Sequence, residues 1–284
     1  MSVWTQRRVI NFAHQGGSFE GPSSTLHAMA RALQNGANAL ELDVHATRDR
    51  RLVVCHDETV DRTTNHTGVI SELSLEQLRE MDNAYWWIEG SDVAPGHEDD
   101  EYVLRGRAPA DARLSVATLA EVADAFPGVL LNLDIKQSLP NVEAYEELLA
   151  REIAKLDLID RVIVASFLDD AMVRFRALAP RVATSAATQE TTAFYFSMLD
   201  GTAIVPPAKA LQVPMTYGEI RVVDERFVTT AHEAGLAVHV WTLNDEAGID
   251  EALDLGVDGI ISDRPSLTSA LLAARGVAWD GRLG

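Results

Sequence analysis

A single cysteine, Cys55, stands among 284 residues, which excludes an intramolecular disulfide and any zinc site built on thiolates. Its neighbours Leu52, Val53 and Val54 mark it as a buried structural thiol. No apolar run approaches the ~18 residues of a membrane span. The apolar stretch after Arg8 runs for only about six residues, short of a secretory h-region, so the expected compartment is the cytoplasm. Cations are scarce: 24 Lys and Arg stand against 43 Asp and Glu, a formal net charge of −19. Such a field opposes nucleic acid and anionic membrane surfaces as main partners. It equally opposes an anionic substrate unless local positive charge overrides it. Internal repeats and low-complexity tracts are absent as well.

What is present is an ordinary soluble composition, 47% hydrophobic and 24% charged, which rules against disorder. Short β-branched runs alternate with amphipathic helical patterns, the rhythm of βα units around a parallel sheet. Candidate strands are Val9–Ala13, Ala39–Val44, Leu52–Cys55, Val129–Ile135, Val162–Ser166, Val182–Ser185, Leu211–Val213, Ala237–Trp241 and Asp258–Ser262. The fold class expected is α/β, a (β/α)8 TIM barrel, in which eight strands close; the ninth run, taken to be Leu211–Val213, is then a connection or an edge piece. The rhythm breaks between about Asn83 and Arg113, so residues 83–113 read as a small insertion on one barrel spanning the chain, not as a second domain.

Chemistry-bearing residues gather at the carboxyl ends of these strands, where barrel enzymes build their sites. His14 follows the first strand and His56 the third. Glu41 and Asp43 share one strand face, roughly 6 to 7 Å apart along the chain. Asp134 and Lys136 repeat that spacing, and Trp241 ends its own strand. Three inward carboxylates need a cation, and without sulfur ligands the fitting one is a hard divalent ion, Mg²⁺ or Ca²⁺. Lys136 beside Asp134 suits an anionic ligand, most simply a phosphate, and two flanking histidines supply a general acid and base. These residues point to a metal-assisted phosphoryl-transfer site.

Six segments in order carry a resemblance: Phe12-Ala13-His14-Gln15-Gly16, Glu41-Leu42-Asp43-Val44, the run from His56 to Thr64, Asn132-Leu133-Asp134-Ile135-Lys136, Val240-Trp241-Thr242-Leu243-Asn244, and the run from Gly256 to Pro265. Together they resemble the signature segments of the glycerophosphodiester phosphodiesterases. That resemblance implies a barrel hydrolysing a glycerophosphodiester to glycerol 3-phosphate and an alcohol. It places metal ligands on Glu41, Asp43 and Asp134, the last where Glu is usual, which keeps the charge and shortens the reach by one methylene. It places acid/base roles on His14 and His56, phosphate binding on Lys136, and an aromatic near the glycerol or leaving group on Trp241.

Two departures accompany the resemblance. Gln15 stands where the family usually has arginine, beside the phosphate, so weaker or altered phosphate binding is expected there. Ser23 stands where it usually has glutamate. The hypothesis is that the two lost groups form a charge pair, so that losing both leaves no unpaired buried charge, with Glu20 as a partial substitute for the acid. Two other readings stay open: a degenerate member that binds without hydrolysis, and a lysophospholipid-cleaving barrel of the phospholipase D type. Several residues receive plainer readings. Asp57 and Asp61 to Thr64 shape a turn, Asp263-Arg264-Pro265 cap a helix, and His239 is structural. Tyr85, Trp86 and Trp87 either line an apolar lip or pack on the barrel.

Overall fold

The computed structural model describes residues 2–202 and 204–279. Its parallel strands are apolar runs buried on both faces, as strands covered by helices must be. In chain order the elements are β1 (Ile10–His14), α1 (Leu26–Gln34), β2 (Ala39–Ala46), β3 (Leu52–Val54), α2 (Leu75–Arg79), α3 (Leu119–Ala125), β4 (Leu130–Ile135), α4 (Glu146–Lys155), β5 (Val162–Ala165), α5 (Asp169–Leu178), β6 (Ala183–Thr184) and α6 (Thr188–Asp200). They continue as β7 (Ala210–Pro214), β8 (Thr216–Tyr217), β9 (Ile220–Arg221), α7 (Glu225–Glu233), β10 (Ala237–Trp241), α8 (Glu246–Asp254), β11 (Gly259–Ser262) and α9 (Pro265–Ala274). Side-chain caps start many of the helices: Thr25 accepts from Ala28 N, Thr118 from Glu121 N, Asp224 from Phe227 N and Asp245 from Gly248 N.

Strand order is β6-β5-β4-β2-β1-β11-β10-β7, all parallel. A parallel bridge between Ser185 and Ala210 brings the two ends together and closes eight strands into the expected (β/α)8 barrel. Trp4 plugs the amino-terminal end, stacked on Phe12 at 6.4 Å, above an interior layer of Ile10, Leu130, Ile163 and Ile261.

The odd strand is not the one expected. Leu211–Val213 belongs to β7, hydrogen-bonded to β10 along five residue pairs. The extra strand is β3, which pairs antiparallel with β2, Val44 against Val54. The reason is connection length: the few residues between Ala46 and Leu52 make a hairpin, whereas a parallel crossover takes a dozen or more. Helix α6 carries little sign of itself in the sequence; its Thr, Phe and Tyr residues have weak helix propensity and obscure the apolar period. The stretch 83–113 lies between α2 and α3, where its Ala84, Trp87 and Leu104 make a small core with Leu114. Among the described residues no helix is long and apolar enough to cross a membrane.

The carboxylate-bearing strand is clamped from outside. Buried Tyr145, just before α4, donates its hydroxyl to Val44 O at 2.7 Å and accepts from Gln137 N at 3.2 Å. Tyr145→Phe leaves both groups without this partner and is expected to lower unfolding free energy by about 1–3 kcal/mol, read by urea denaturation; an unchanged midpoint refutes the clamp.

Candidate active site

Register at the carboxyl end of the barrel brings the acidic residues together. His14 on β1 pairs with Glu41 on β2, and Asp43 on β2 pairs with Asp134 on β4. Glu41, Asp43 and Asp134 are all buried. Lys136, just past β4, sets its Nζ 3.1 Å from Asp43 Oδ1 and 3.8 Å from Asp134 Oδ2. One ammonium does not neutralise three carboxylates. Burial raises all three carboxyl pKa values above their ordinary range, and Asp43, also facing Glu41, is pushed up to about 7. Asp43 Oδ2 and Asp134 Oδ1 are buried with no hydrogen-bond partner. Among the described residues no three metal-binding side chains already converge as a shell; Lys136 spans the gap instead.

The two histidines face each other across the mouth, ring centroids 6.0 Å apart and nearly perpendicular. Each has a carboxylate on Nδ1: His14 with Asp263 Oδ1 at 2.6 Å, and His56 with Asp57 Oδ1 at 2.6 Å. An ionised carboxylate only accepts, so each Nδ1 carries the proton. The Nε2 atoms face away from these carboxylates, that of His14 lying 3.4 Å from the Gln15 amide Nε2 and 3.9 Å from Glu41 Oε2. Asp263 is itself held by Ser18 Oγ and Asn244 Nδ2, both at 2.6 Å. Burial opposes charging His14, but the Asp263 hydrogen bond and the charges of Glu41, Asp263 and Asp43 outweigh it and raise its pKa to about 9. Asp57 is pulled down to about 2: burial opposes this, and the hydrogen bonds from His56 and Arg62 prevail.

Asp57 and Asp263 are therefore the orienting acids that the turn and helix-cap readings missed. The cap of α9 is Arg264, with Pro265 in the first turn, which leaves Asp263 free for His14. The available signal was a carboxylate directly after His56 in sequence; Asp263 lay in a signature run, but nothing local tied it to His14, which it meets only when β11 closes against β1.

Gln15 is buried behind the cavity wall and not on it. It has φ +52° and, with Gly16 at +82° and Gly17 at +88°, forms a left-handed turn that aims Gln15 N at Glu41 Oε2, 3.2 Å away. Its Oε1 accepts from Ser23 Oγ at 2.5 Å, so a neutral hydrogen bond occupies the place of the expected charge pair. Glu20 does not substitute for the acid; it receives Asn35 Nδ2 and Ser266 instead. The cation near Gln15 is Arg62, whose Nη2 lies 3.4 Å from Gln15 Oε1.

A cavity of about 740 Å³ opens above the barrel. One side presents Glu41, Asp43, Asp134, Lys136, His14 and His56. The other is apolar, led by Trp241, against which Phe167 packs edge-on at 5.7 Å. Tyr85, Trp86 and Trp87 are not part of it: Trp87 Nε1 donates to Ser18 O and Trp86 Nε1 to Thr64 O, which packs the insertion on the barrel. His239 is fully buried, with Nδ1 3.2 Å from Gln212 Nε2 and Nε2 unpartnered.

The sequence pattern of the glycerophosphoryl diester phosphodiesterase family matches residues 14–267. The chain belongs to this family. It is 29% identical to a glycerophosphodiester phosphodiesterase of Bacillus subtilis, over 92% of this chain and 85% of that one. It is 27% identical to that of Bacillus altitudinis, over 89% and 94%. Among solved structures, the glycerophosphoryl diester phosphodiesterase domain of a Mycobacterium tuberculosis protein superposes with a TM-score of 0.76 at 18% identity, covering 94% of this chain and 99% of that one. A phosphodiesterase of Oleispira antarctica, in complex with the product sn-glycerol-3-phosphate, superposes at 0.67 with 24% identity, covering 94% and 96%. The protein is an enzyme of the glycerophosphodiester phosphodiesterase kind, and the reading as a binder without chemistry is set aside.

The Gln15–Ser23 pair generates a stability test. Gln15→Arg alone puts a second buried guanidinium beside Arg62 and is expected to lower unfolding free energy by about 3–5 kcal/mol. Gln15→Arg with Ser23→Glu should recover most of that loss in thermal and urea melts; equal losses in both variants contradict the account.

Proposed function

We propose that the protein hydrolyses a glycerophosphodiester to sn-glycerol 3-phosphate and an alcohol, with Mg²⁺ or Ca²⁺ held by Glu41, Asp43 and Asp134. The observation that carries the reading is the facing pair of histidines, each with Nδ1 tied to a carboxylate, opposite a buried acidic cluster that includes one lysine. The two unpartnered oxygens, Asp43 Oδ2 and Asp134 Oδ1, support a hard cation at the cluster, since buried anionic oxygens without donors are costly. When bound, such an ion polarises the phosphoryl oxygens and offsets the charge that develops on them.

The chain's own residues account for the rest. With its carboxylate neighbours neutralised, Lys136 holds a phosphate oxygen as a point charge. One histidine takes a proton at Nε2 from the nucleophile, either water or the substrate's own glycerol hydroxyl. The new P–O bond forms as the bond to the leaving alkoxide breaks, and the other histidine delivers a proton to that oxygen. Through the glycerol hydroxyl a cyclic phosphate forms first and water then opens it, so both routes end at the same products. The product bound in the Oleispira relative supports this substrate class.

His14→Ala and His56→Ala should each lower kcat on glycerophosphocholine by about 10²- to 10⁴-fold with the melting temperature retained. Chelation should abolish turnover and added Mg²⁺ or Ca²⁺ restore it; turnover that survives exhaustive chelation removes the metal from the proposal.

A specific observation favours a second reading of the substrate. On the apolar side of the cavity Phe167 is 57% exposed, Phe196 57%, Tyr217 74% and Ile220 48%, continuous with Trp241. Large apolar groups exposed together mark an interaction site. A phosphodiester bearing one hydrocarbon chain, such as a lysophospholipid, would cover them. For a chain-length series kept below micelle formation, kcat/KM should then rise by up to about fourfold per buried methylene. A flat series leaves only the chainless substrates.

A further inference from the structure

The insertion reaches the site through one arginine. Arg62 Nε donates to Asp57 Oδ2 at 2.6 Å, and the other oxygen of Asp57 meets His56 Nδ1 at 2.6 Å. Arg62 Nη1 donates to Oδ2 of Asp92, a residue of the insertion, at 2.5 Å. Its Nη2 rests on Gln15 Oε1 at 3.4 Å. The result is a chain of hydrogen bonds, His56–Asp57–Arg62–Asp92, from the cavity to the insertion. Both oxygens of Asp57 are thereby held, which fixes its carboxylate plane and with it the imidazole ring.

Docking the insertion does not require this chain. The Trp86 and Trp87 indole bonds, Gly90 N to Phe19 O at 2.8 Å and Thr63 Oγ1 to Asn83 Oδ1 at 2.5 Å hold the segment independently. Asp92 nevertheless sits with one oxygen on Arg62 and the other, Oδ1, buried and unpartnered. A half-satisfied acid opposes stability, so its placement calls for a role beyond adhesion. Gln15 makes the arrangement consistent: an arginine there would set a second guanidinium against Arg62.

We propose that Arg62 and Asp92 are positioning residues, through which the insertion braces Asp57 and so holds Nε2 of His56 in its working orientation. The proposal rests on the reading of His56 as the acid or the base. The fork geometry of Arg62 matters as well as its charge, because a lysine offers a point charge in place of directed N–H groups.

The test uses the full chain with Asp92→Asn, Asp92→Glu, Arg62→Lys and Arg62→Met. Two quantities are measured: kcat and KM on glycerophosphocholine, and the downfield proton resonance of the His56 Nδ1–H, assigned by its loss in His56→Ala. Asp92→Asn should lower kcat by about 10- to 100-fold, by analogy with the loss of an outer hydrogen-bond partner of a metal-binding histidine. KM should stay within about twofold, and the resonance should shift and exchange faster with water. Asp92→Glu should restore most of kcat, whereas Arg62→Lys should fall nearly as far as Arg62→Met. Full kcat and an unmoved resonance in Asp92→Asn overturn the brace, as does a loss that tracks melting temperature and is not rescued by Glu. If His56→Ala keeps its turnover while the resonance in Asp92→Asn behaves as expected, the acid/base reading fails and the brace stands as structure alone.

Discussion

Glu41, Asp43 and Asp134 lie buried in one barrel mouth with Lys136 as the cation among them, and the rest of the site is arranged around that excess of negative charge. Desolvation and repulsion hold the carboxyl groups above their usual range, while at His14 burial is outweighed by the Asp263 hydrogen bond and the surrounding negative charge, which raise it to about 9. Under the proposed function, a divalent ion at the carboxylates would act with Lys136 to supply the local positive charge that a net −19 denies to the molecule as a whole.

Around that centre, hydrogen bonds set direction. His14 is aimed by Asp263, which Ser18 and Asn244 hold, and His56 by Asp57, which Arg62 holds. The two supports differ in origin. That of His14 lies within the barrel, on the loops after β1, β10 and β11, while that of His56 extends to Asp92 in the insertion. His56 itself arrives by an unusual route: β3 runs antiparallel to β2, and Cys55 N bonds Asp43 O, so the chain returns to the mouth just before His56.

The signals that were legible in the sequence are local ones. Alternation put Glu41 with Asp43 and Asp134 with Lys136 on common faces, because strand geometry repeats every two residues wherever the strand lies. Ordered motifs carried His14, His56 and Trp241. The hairpin to β3 was also within reach, since the short link after Ala46 forbids a crossover, yet the run itself resembles any buried strand. Helix α6 was hidden by weak helix formers. The role of Gln15 was read from its neighbours in sequence; its side chain accepts from Ser23, has the Arg62 cation nearby and sets its amide Nε2 3.4 Å from His14 Nε2.

Composition and periodicity by themselves determined a closed α/β barrel, an acidic cluster on one rim and a pair of histidines beside it, because each follows from local geometry repeated along the chain. Tertiary structure alone decided which strands close the barrel, which acids aim the histidines, where Lys136 rests and which apolar groups flank the cavity. Those contacts join residues far apart in the chain, as His14 and Asp263 are. They exist only once β1 lies between β2 and β11, and no local pattern encodes that neighbourhood.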